Sequence, residues 1–410
     1  MLINYFKIAI AVLKRRKFFT FISLFVISFT LTILMVLTAF IDRIISDTYP
    51  DRKRERSLYI TRLQQKGSKT GFSSNASLSF YFLDHYAGSL KTPVKLAISS
   101  NYSSTNTYVN NKKLVINYKY TNAEYWDILE YEFLEGKPFN KQQIDNAELV
   151  AVISEDTKKM YFGDVPSVVG KYIEADNIRY RVSGVVKNVP ITSYNFYSDI
   201  YLPYTVSKTD YRNKGYRGDY TGILLAANES DIPKIQEEYE QLVRRIPPYE
   251  KDYDLIYSRA EPYVTNYVST GNENVSGIRM VITWITVFVL LFMLLPTLNL
   301  VNINITRIME RSSEIGVRKA FGASSRTLVF QFLVENIIVT ILGGLIGVLL
   351  SVIIMKIINA ANLIANLELS LNFTVLFYGL AACIFFGLLS GVYPAWRMSR
   401  LNVVSALKGQ

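Results

Sequence analysis

The sequence predicts an α-helical membrane protein, with four transmembrane helices and an α+β extracytoplasmic domain inserted between spans one and two. Three observations carry this. Residues 18–41, 280–306, 328–355 and 371–396 are long apolar runs. As helices rising roughly 1.5 Å per residue, each is long enough to cross a hydrocarbon core of about 30 Å. Residues 42–279 have a different texture, with short alternating stretches rich in Tyr, Asn and Ser. The excess basic residues gather beside the apolar runs and not in the long intervening stretch.

That last point decides what the charge means. The formal net charge is +11. Residues 1–17 hold five basic residues and no acid, residues 307–327 hold five basic residues against Glu310 and Glu314, and residues 397–410 hold three basic residues. The rest of the chain balances, so the charge is a topology signal and not a nucleic-acid footprint. With residues 1–17 in the cytosol, four crossings return the other two basic segments to the same side, as the positive-inside rule requires. A multi-pass protein of the cell (inner) membrane is expected, with both termini cytoplasmic and the large domain outside. Half the residues are hydrophobic and the mean hydropathy is +0.17, a value between those of soluble chains and of chains made of spans alone.

In order along the chain, residues 1–17 form a cytoplasmic amphipathic segment whose apolar face suits the inner leaflet. Span one (18–41) is too long for a signal-peptide core and reads as an uncleaved anchor. Within 42–279, β-branched and aromatic enrichment predicts strands over 57–62, 94–99, 113–118, 148–153, 180–186, 198–202 and 221–226. Helices are predicted over 78–85, 122–129, 154–161 and 232–245, the last stopped by Pro247-Pro248. Span two (280–306) contains Pro296, which should kink it, with Thr297, Asn299 and Asn302 available to satisfy freed backbone. A connector (307–327) leads to span three (328–355), an external loop (356–370), span four (371–396) and a cytoplasmic tail (397–410).

Several chemistries are excluded. Cys383 is the one cysteine and His85 the one histidine, so neither a disulfide nor a multi-histidine metal site can be written. No Gly-x-x-x-x-Gly-Lys-Ser/Thr phosphate loop occurs. No catalytic residue, metal site or cofactor is assigned to this chain. Glu335 is a formal charge about two turns into span three, costly at mid-membrane; near the cytoplasmic end it could sit at the interface or pair with a basic residue of the connector, a reading favoured over a deeper proton or substrate site. Gly343 and Gly347, and likewise Gly387 and Gly391, put small residues on one helix face and read as packing surfaces, within the chain or between subunits.

The connector reads Glu314-Ile-Gly-Val-Arg-Lys-Ala-Phe-Gly-Ala323, acids early and basics late, with Gly322 as a helix stop. Arg-x-x-Glu-Ile-Gly-Val-Arg-Lys-Ala-x-Gly-Ala resembles the cytoplasmic segment of the MacB/FtsX-like ABC-transporter permeases. The ordered pieces Phe133-Leu-Glu-Gly-Lys-Pro-Phe139, Val150-Ala-Val-Ile-Ser154, Tyr161-Phe-Gly163, Val169-Gly-Lys171 and Tyr180-Arg-Val-Ser-Gly-Val-Val-Lys-Asn-Val-Pro190 resemble the periplasmic core domain of the same family. Gln331-x-x-x-Glu335 and the ending from Tyr393-Pro-Ala to Ala406-Leu407 are also similar, although Ser399 stands where the family has Ala and Val404 where it has Pro.

The resemblance implies a permease subunit that couples ATP hydrolysis by a separate ATPase subunit to movements of the extracytoplasmic domain, for efflux or extracytoplasmic substrate transfer. It places ATPase coupling on Glu314, Gly316, Arg318, Lys319 and Gly322, and ATP with Mg on the partner. It further implies a second permease subunit, identical or different, surrounding lipids, and room for a periplasmic adaptor. Two alternatives come from other classes. A transmembrane regulator of a cell-envelope enzyme would suit a smaller outer domain than residues 42–279, and an ATP-independent transporter would be expected to show more spans and more mid-membrane charge.

Overall fold

The computed structural model describes residues 10, 15, 17–46, 49–109, 112–269, 277–310, 317, 321 and 324–399. They divide into two compact units, one built on the long helices and the other on Ile44–Val281 with Ile364–Leu367.

The first long helix, α1 (Lys17–Ile45), leads into the outer unit, whose strands join one mixed sheet. At its centre β4 (Lys95–Ser100) lies between β13 (Tyr220–Leu225) and β6 (Lys112–Thr121). On one side of that centre, β13 also pairs with β1 (Ser57–Ile60) and with β3 (Ser73–Leu78), and β3 continues to β2 (Leu63–Lys66) and β14 (Leu255–Ser258). On the other side, β6 runs parallel to β11 (Ile200–Pro203), which is followed by β8 (Val150–Ser154), β10 (Ile178–Val186) and β7 (Phe133–Gly136). The pairing of β8 with β10 is parallel as well. The short β12 (Arg217–Gly218) extends β3, β5 (Ser103–Val109) forms a hairpin with β6, and β9 (Tyr172–Ala175) pairs with β10.

Successive strand side chains point to opposite faces, and here both faces are covered. Leu58, Ile60, Ala151, Ile153, Ile200, Leu202 and Leu224 enter one core. Their immediate neighbours Tyr59, Val150, Val152, Tyr201, Ile223 and Leu225 enter a second core on the opposite face. Helix α5 (Ile232–Val243) closes the first through Ile235, Tyr239 and Val243. The second is closed by α2 (Glu124–Ile128), α3 (Lys141–Asp145) and α6 (Tyr263–Tyr267) through Tyr125, Ile128, Ile144 and Tyr263. Burial on both faces explains why β8 reads as a nearly continuous apolar run and not as an alternating one.

Local chemistry sets the helix ends. The Ser154 hydroxyl accepts a hydrogen bond from the Thr157 amide and starts α4 (Glu155–Phe162), whose early Glu155 and Asp156 suit the helix dipole. The cap after it is Gly163 at φ 74°, a conformation that favours glycine. Asn140 and Gln143 form a reciprocal capping box at α3.

The predicted helix over 78–85 is corrected. Leu78 ends β3, where it pairs with Tyr220, and a single π turn over Phe82–Tyr86 follows. Strands β2, β3 and β5 were not predicted, because Ser, Asn and Gln dominate them. They form by pairing across the sheet, as in Leu63↔Ala76 through Lys66↔Ser73.

In the other unit, α7 (Gly277–Glu310), α8 (Ser325–Ala360) and α9 (Phe373–Ser399) join α1. All four have stretches long and apolar enough to cross a membrane. Span one is the best covered: Ile27, Leu31, Leu34 and Met35 are buried, packed with Ile338, Val339, Met293 and Cys383. Its Phe21, Phe25 and Phe29 stack at one-turn intervals on an exposed face, as suits a lipid-facing surface. Helix α7 is continuous across Pro296. The Thr297 hydroxyl donates to the Met293 carbonyl at 2.6 Å, one residue beyond the Phe292 carbonyl that proline leaves without its amide.

Candidate functional site

The connector residues Glu314, Gly316, Arg318, Lys319 and Gly322 lie outside the described residues, as does most of the amphipathic segment over 1–17. Two positions of the motif over 314–323 are described. The Phe321 amide donates 3.0 Å to the Val317 carbonyl, which closes one helical turn. The Phe321 side chain is 89% exposed, the most of any large apolar side chain described. It stands at the variable position of the connector motif, where sequence reasoning assigned no role. Three residues on, the Ser324 hydroxyl accepts from the Thr327 amide at 3.2 Å and starts α8.

Glu335, one of the sequence-predicted residues, is buried in α8 and accepts a hydrogen bond from the Gln331 side chain at 3.2 Å. Its intrahelical partner is therefore the glutamine of the same Gln-x-x-x-Glu pattern.

The small residues are places of close approach. A Cβ on Gly343 would lie 2.8 Å from Ile27 Cγ2, and one on Gly347 would lie 2.9 Å from the Ser28 carbonyl oxygen and 3.0 Å from Leu31 Cβ. The Thr32 hydroxyl donates to the Gly347 carbonyl at 3.1 Å. Gly387 of α9 faces Thr340 of α8 in the same way, with Thr340 Cγ2 3.0 Å from its notional Cβ. Gly391 falls in α9, and its surroundings lie outside the described residues. Small residues let backbones meet where lipid supplies no hydrophobic drive between helices. Asn304 of α7 adds a bond to the Ser390 carbonyl of α9 at 3.2 Å.

Sequence reasoning also missed a group in the outer unit. Arg54 sits in Asp51-Arg-Lys-Arg-Glu-Arg56, which reads as a solvated charge run, yet it is buried. Its Nη1 donates to the carbonyls of Ile44, Ile45 and Ser46 at 3.2, 2.9 and 2.7 Å, capping the last turn of α1. Its Nε donates to Asp51 Oδ2 at 2.8 Å, and the Tyr59 hydroxyl donates to the same oxygen at 2.6 Å. Burial pushes the Asp51 carboxyl up, while Arg54 and the Tyr59 hydroxyl pull it back. Burial opposes the Arg54 charge too, but Asp51, Tyr263 and Tyr59 together outweigh it and raise the guanidinium above its ordinary value. The available signal was an acid three residues before a base, just past the end of a span.

Among the described residues no cluster of His, Cys, Asp and Glu could hold a metal ion. The lone His85 is exposed and stacks on Tyr81 at 5.0 Å.

Comparison with known families agrees with this architecture. Residues 18–242 match the MacB-like periplasmic core domain, and residues 286–403 match the FtsX-like permease C-terminal family. The chain belongs to the MacB/FtsX-like ABC permease family. The second match contains the whole motif from Glu314 to Ala323, so this permease carries its connector inside a family segment.

The permease is similar to the macrolide export ATP-binding/permease protein MacB of Bdellovibrio bacteriovorus, at 27% identity over 67% of this chain and 41% of that protein. It is similar to the pyoverdine export ATP-binding/permease protein PvdT of Pseudomonas aeruginosa, at 25% identity over 80% of this chain and 50% of that protein. The chain spans half or less of the length of these curated relatives. The crystal structure of the periplasmic region of MacB from Actinobacillus actinomycetemcomitans aligns with 52% of this chain and 93% of that one, with a TM-score of 0.38 and 17% identity.

Proposed function

We propose that this permease is the membrane subunit of an exporter in which a separate ATPase subunit docks on the connector over 307–327 and drives movements of the extracytoplasmic domain. The observation that carries the reading is the charged, glycine-punctuated motif Glu314 to Ala323 within an FtsX-like permease segment. In it Glu314, Arg318 and Lys319 supply charges of both signs for a partner surface, Gly316 and Gly322 permit close approach, and exposed Phe321 of the same motif offers an apolar contact. ATP and Mg act on the partner. The chain's own part is mechanical: within the outer unit Arg54 ties the carbonyls of Ile44, Ile45 and Ser46 to Asp51, which also accepts from Tyr59. The names of MacB and PvdT as export proteins favour efflux. A second permease subunit, identical or different, completes the assembly, with both termini and the connector in the cytosol.

The test is gentle extraction of the tagged full chain from its native membrane under ATP-trapping conditions, followed by identification of retained proteins. An ATPase subunit should be recovered, and Arg318→Glu combined with Lys319→Glu should release it, with Phe321→Ala weakening retention. Recovery of the ATPase undiminished by the double charge reversal overturns the docking assignment, and absence of any ATPase from the wild-type preparation overturns the coupling reading.

A further inference from the structure

The sheet of the outer unit forks. Strands β1 and β3 lie on the same side of β13, β1 ending at the pair Ile60↔Gly222 and β3 meeting β13 only at Leu78↔Tyr220. Thr221 is left between the two branches. At this point the structure has a cavity of about 580 Å³, within the roughly 300–1,000 Å³ range of small-molecule sites.

Its lining has an unusual composition. Four asparagines, Asn75, Asn101, Asn195 and Asn266, face it together with the rings of Tyr194 and Tyr267. Among the described lining residues Arg62 is the sole formal charge and Ala76 the sole aliphatic side chain. Asn266 is fixed, donating to the Tyr59 carbonyl at 3.2 Å and accepting from the Thr61 hydroxyl at 2.9 Å. Asn101 donates to Ser77 at 3.1 Å. The Asn75 and Asn195 side-chain amides make no hydrogen bond to the described protein, which leaves their donors and acceptors turned to whatever fills the site. The loop bearing Asn195 is held from beneath: the fully buried Lys119 donates through Nζ to the Asn195 carbonyl. A buried lysine spent on one loop carbonyl is an expensive way to position that loop unless the loop has work to do.

We infer that this fork is a saccharide-binding site, taking a short, uncharged or weakly anionic oligosaccharide. A side-chain amide presents a donor and an acceptor in one plane, which matches the paired hydroxyls of a sugar ring. The half-exposed Tyr194 and Tyr267 rings offer apolar faces to the C–H side of such a ring, with polar tips still in water. The described lining residues include no acid, which gives a cationic ligand no counter-charge among them. With Ala76 the one aliphatic side chain among the described lining residues, the fork suits neither an acyl chain nor an apolar peptide side chain. The site lies wholly in the outer unit, and its occupation is independent of the ATPase coupling proposed above.

Saturation-transfer difference NMR on the full chain in lipid nanodiscs tests this without ATP or any partner, using chitotetraose and maltotetraose as probes. The sugar-ring protons of at least one probe should receive saturation, and Asn75→Leu and Tyr194→Ala should each weaken binding about tenfold, the loss of roughly one hydrogen bond or one stacking contact. Both positions are exposed, so an unchanged thermal midpoint serves as the folding control. No transfer to either probe from the wild type overturns the inference. So does transfer that survives both substitutions undiminished.

Discussion

Arg54 lies 3.6 Å from the centre of the Tyr263 ring while its Nε bonds Asp51 at 2.8 Å, so that the charge at the end of the first span meets both an aromatic face and a carboxylate. Side-chain exposure is 6% for Arg54 and 1% for Asp51, which removes the water that normally makes such pairs weak. Breaking a buried pair strands its partner, so Asp51→Ala should destabilise the outer unit by about 3–5 kcal/mol. Tyr263→Leu keeps most of the apolar area and should cost less. Urea unfolding of the full chain, followed by protease sensitivity of the outer domain, measures both; an Asp51→Ala protein as resistant as the wild type would mean that Arg54 is solvated.

The glycines of α8 should rank by what they touch. At Gly347 an added methyl meets the Ser28 backbone oxygen and Leu31 Cβ, which cannot move without moving α1. At Gly344 it meets the tip of Leu380 at 3.2 Å, a flexible end. Gly347→Ala should therefore cost about 1–3 kcal/mol, as overpacking does, and Gly344→Ala distinctly less. Thermal aggregation of the two purified variants in one detergent gives the order; equal midpoints would refute it.

Three tyrosine hydroxyls share one buried network. Tyr131 meets Tyr125 at 2.8 Å, Tyr201 at 3.3 Å and the Phe196 carbonyl at 2.8 Å, while Tyr201 reaches the same carbonyl at 2.8 Å. Burial pushes all three phenols up, so they remain neutral donors. Tyr131→Phe leaves the Tyr125 hydroxyl buried and without its partner, and should cost about 1–3 kcal/mol. Tyr125→Phe leaves Tyr131 its other bonds and should cost less. Denaturant midpoints read by the fluorescence of Trp126, which packs on all three rings, compare them.

Lys119 gives the outer unit a pH signature. Burial pulls its ammonium down to about 7 from its ordinary value of 10.5. Between these values the unfolded chain carries a proton that the folded chain does not, so stability rises with pH across that window by up to about 1.4 kcal/mol per unit, and the penalty is fully present below pH 7. Lys119→Met should flatten that slope and raise stability at neutral pH. Paired denaturation curves from pH 6.5 to 10 (roughly the titration window) check this, and parallel wild-type and variant slopes would contradict it.

The sequence by itself determined the architecture, because the deciding signals are local. Apolar length gives the spans, and basic clusters give the expected orientation. Strands such as β8 and β13 announce themselves because both faces are buried, and Ser154 marks a helix start through its own hydroxyl. The connector motif was likewise legible, since it is a contiguous pattern of charge and glycine.

The tertiary structure alone decided what depends on distant partners. The polar strands β2, β3 and β5 exist through pairing across the sheet, and no side-chain pattern announced them. Arg54 leaves an apparent surface charge run because Asp51, Tyr59 and Tyr263 converge on it. Gly347 became a contact with a helix more than three hundred positions earlier in the chain. The fork at Thr221 joins strands, a loop and a helix separated by most of the outer domain. A hydrogen bond or a packed face has no sequence signature when its two halves are far apart, since the backbone geometry that brings them together is itself the outcome of folding.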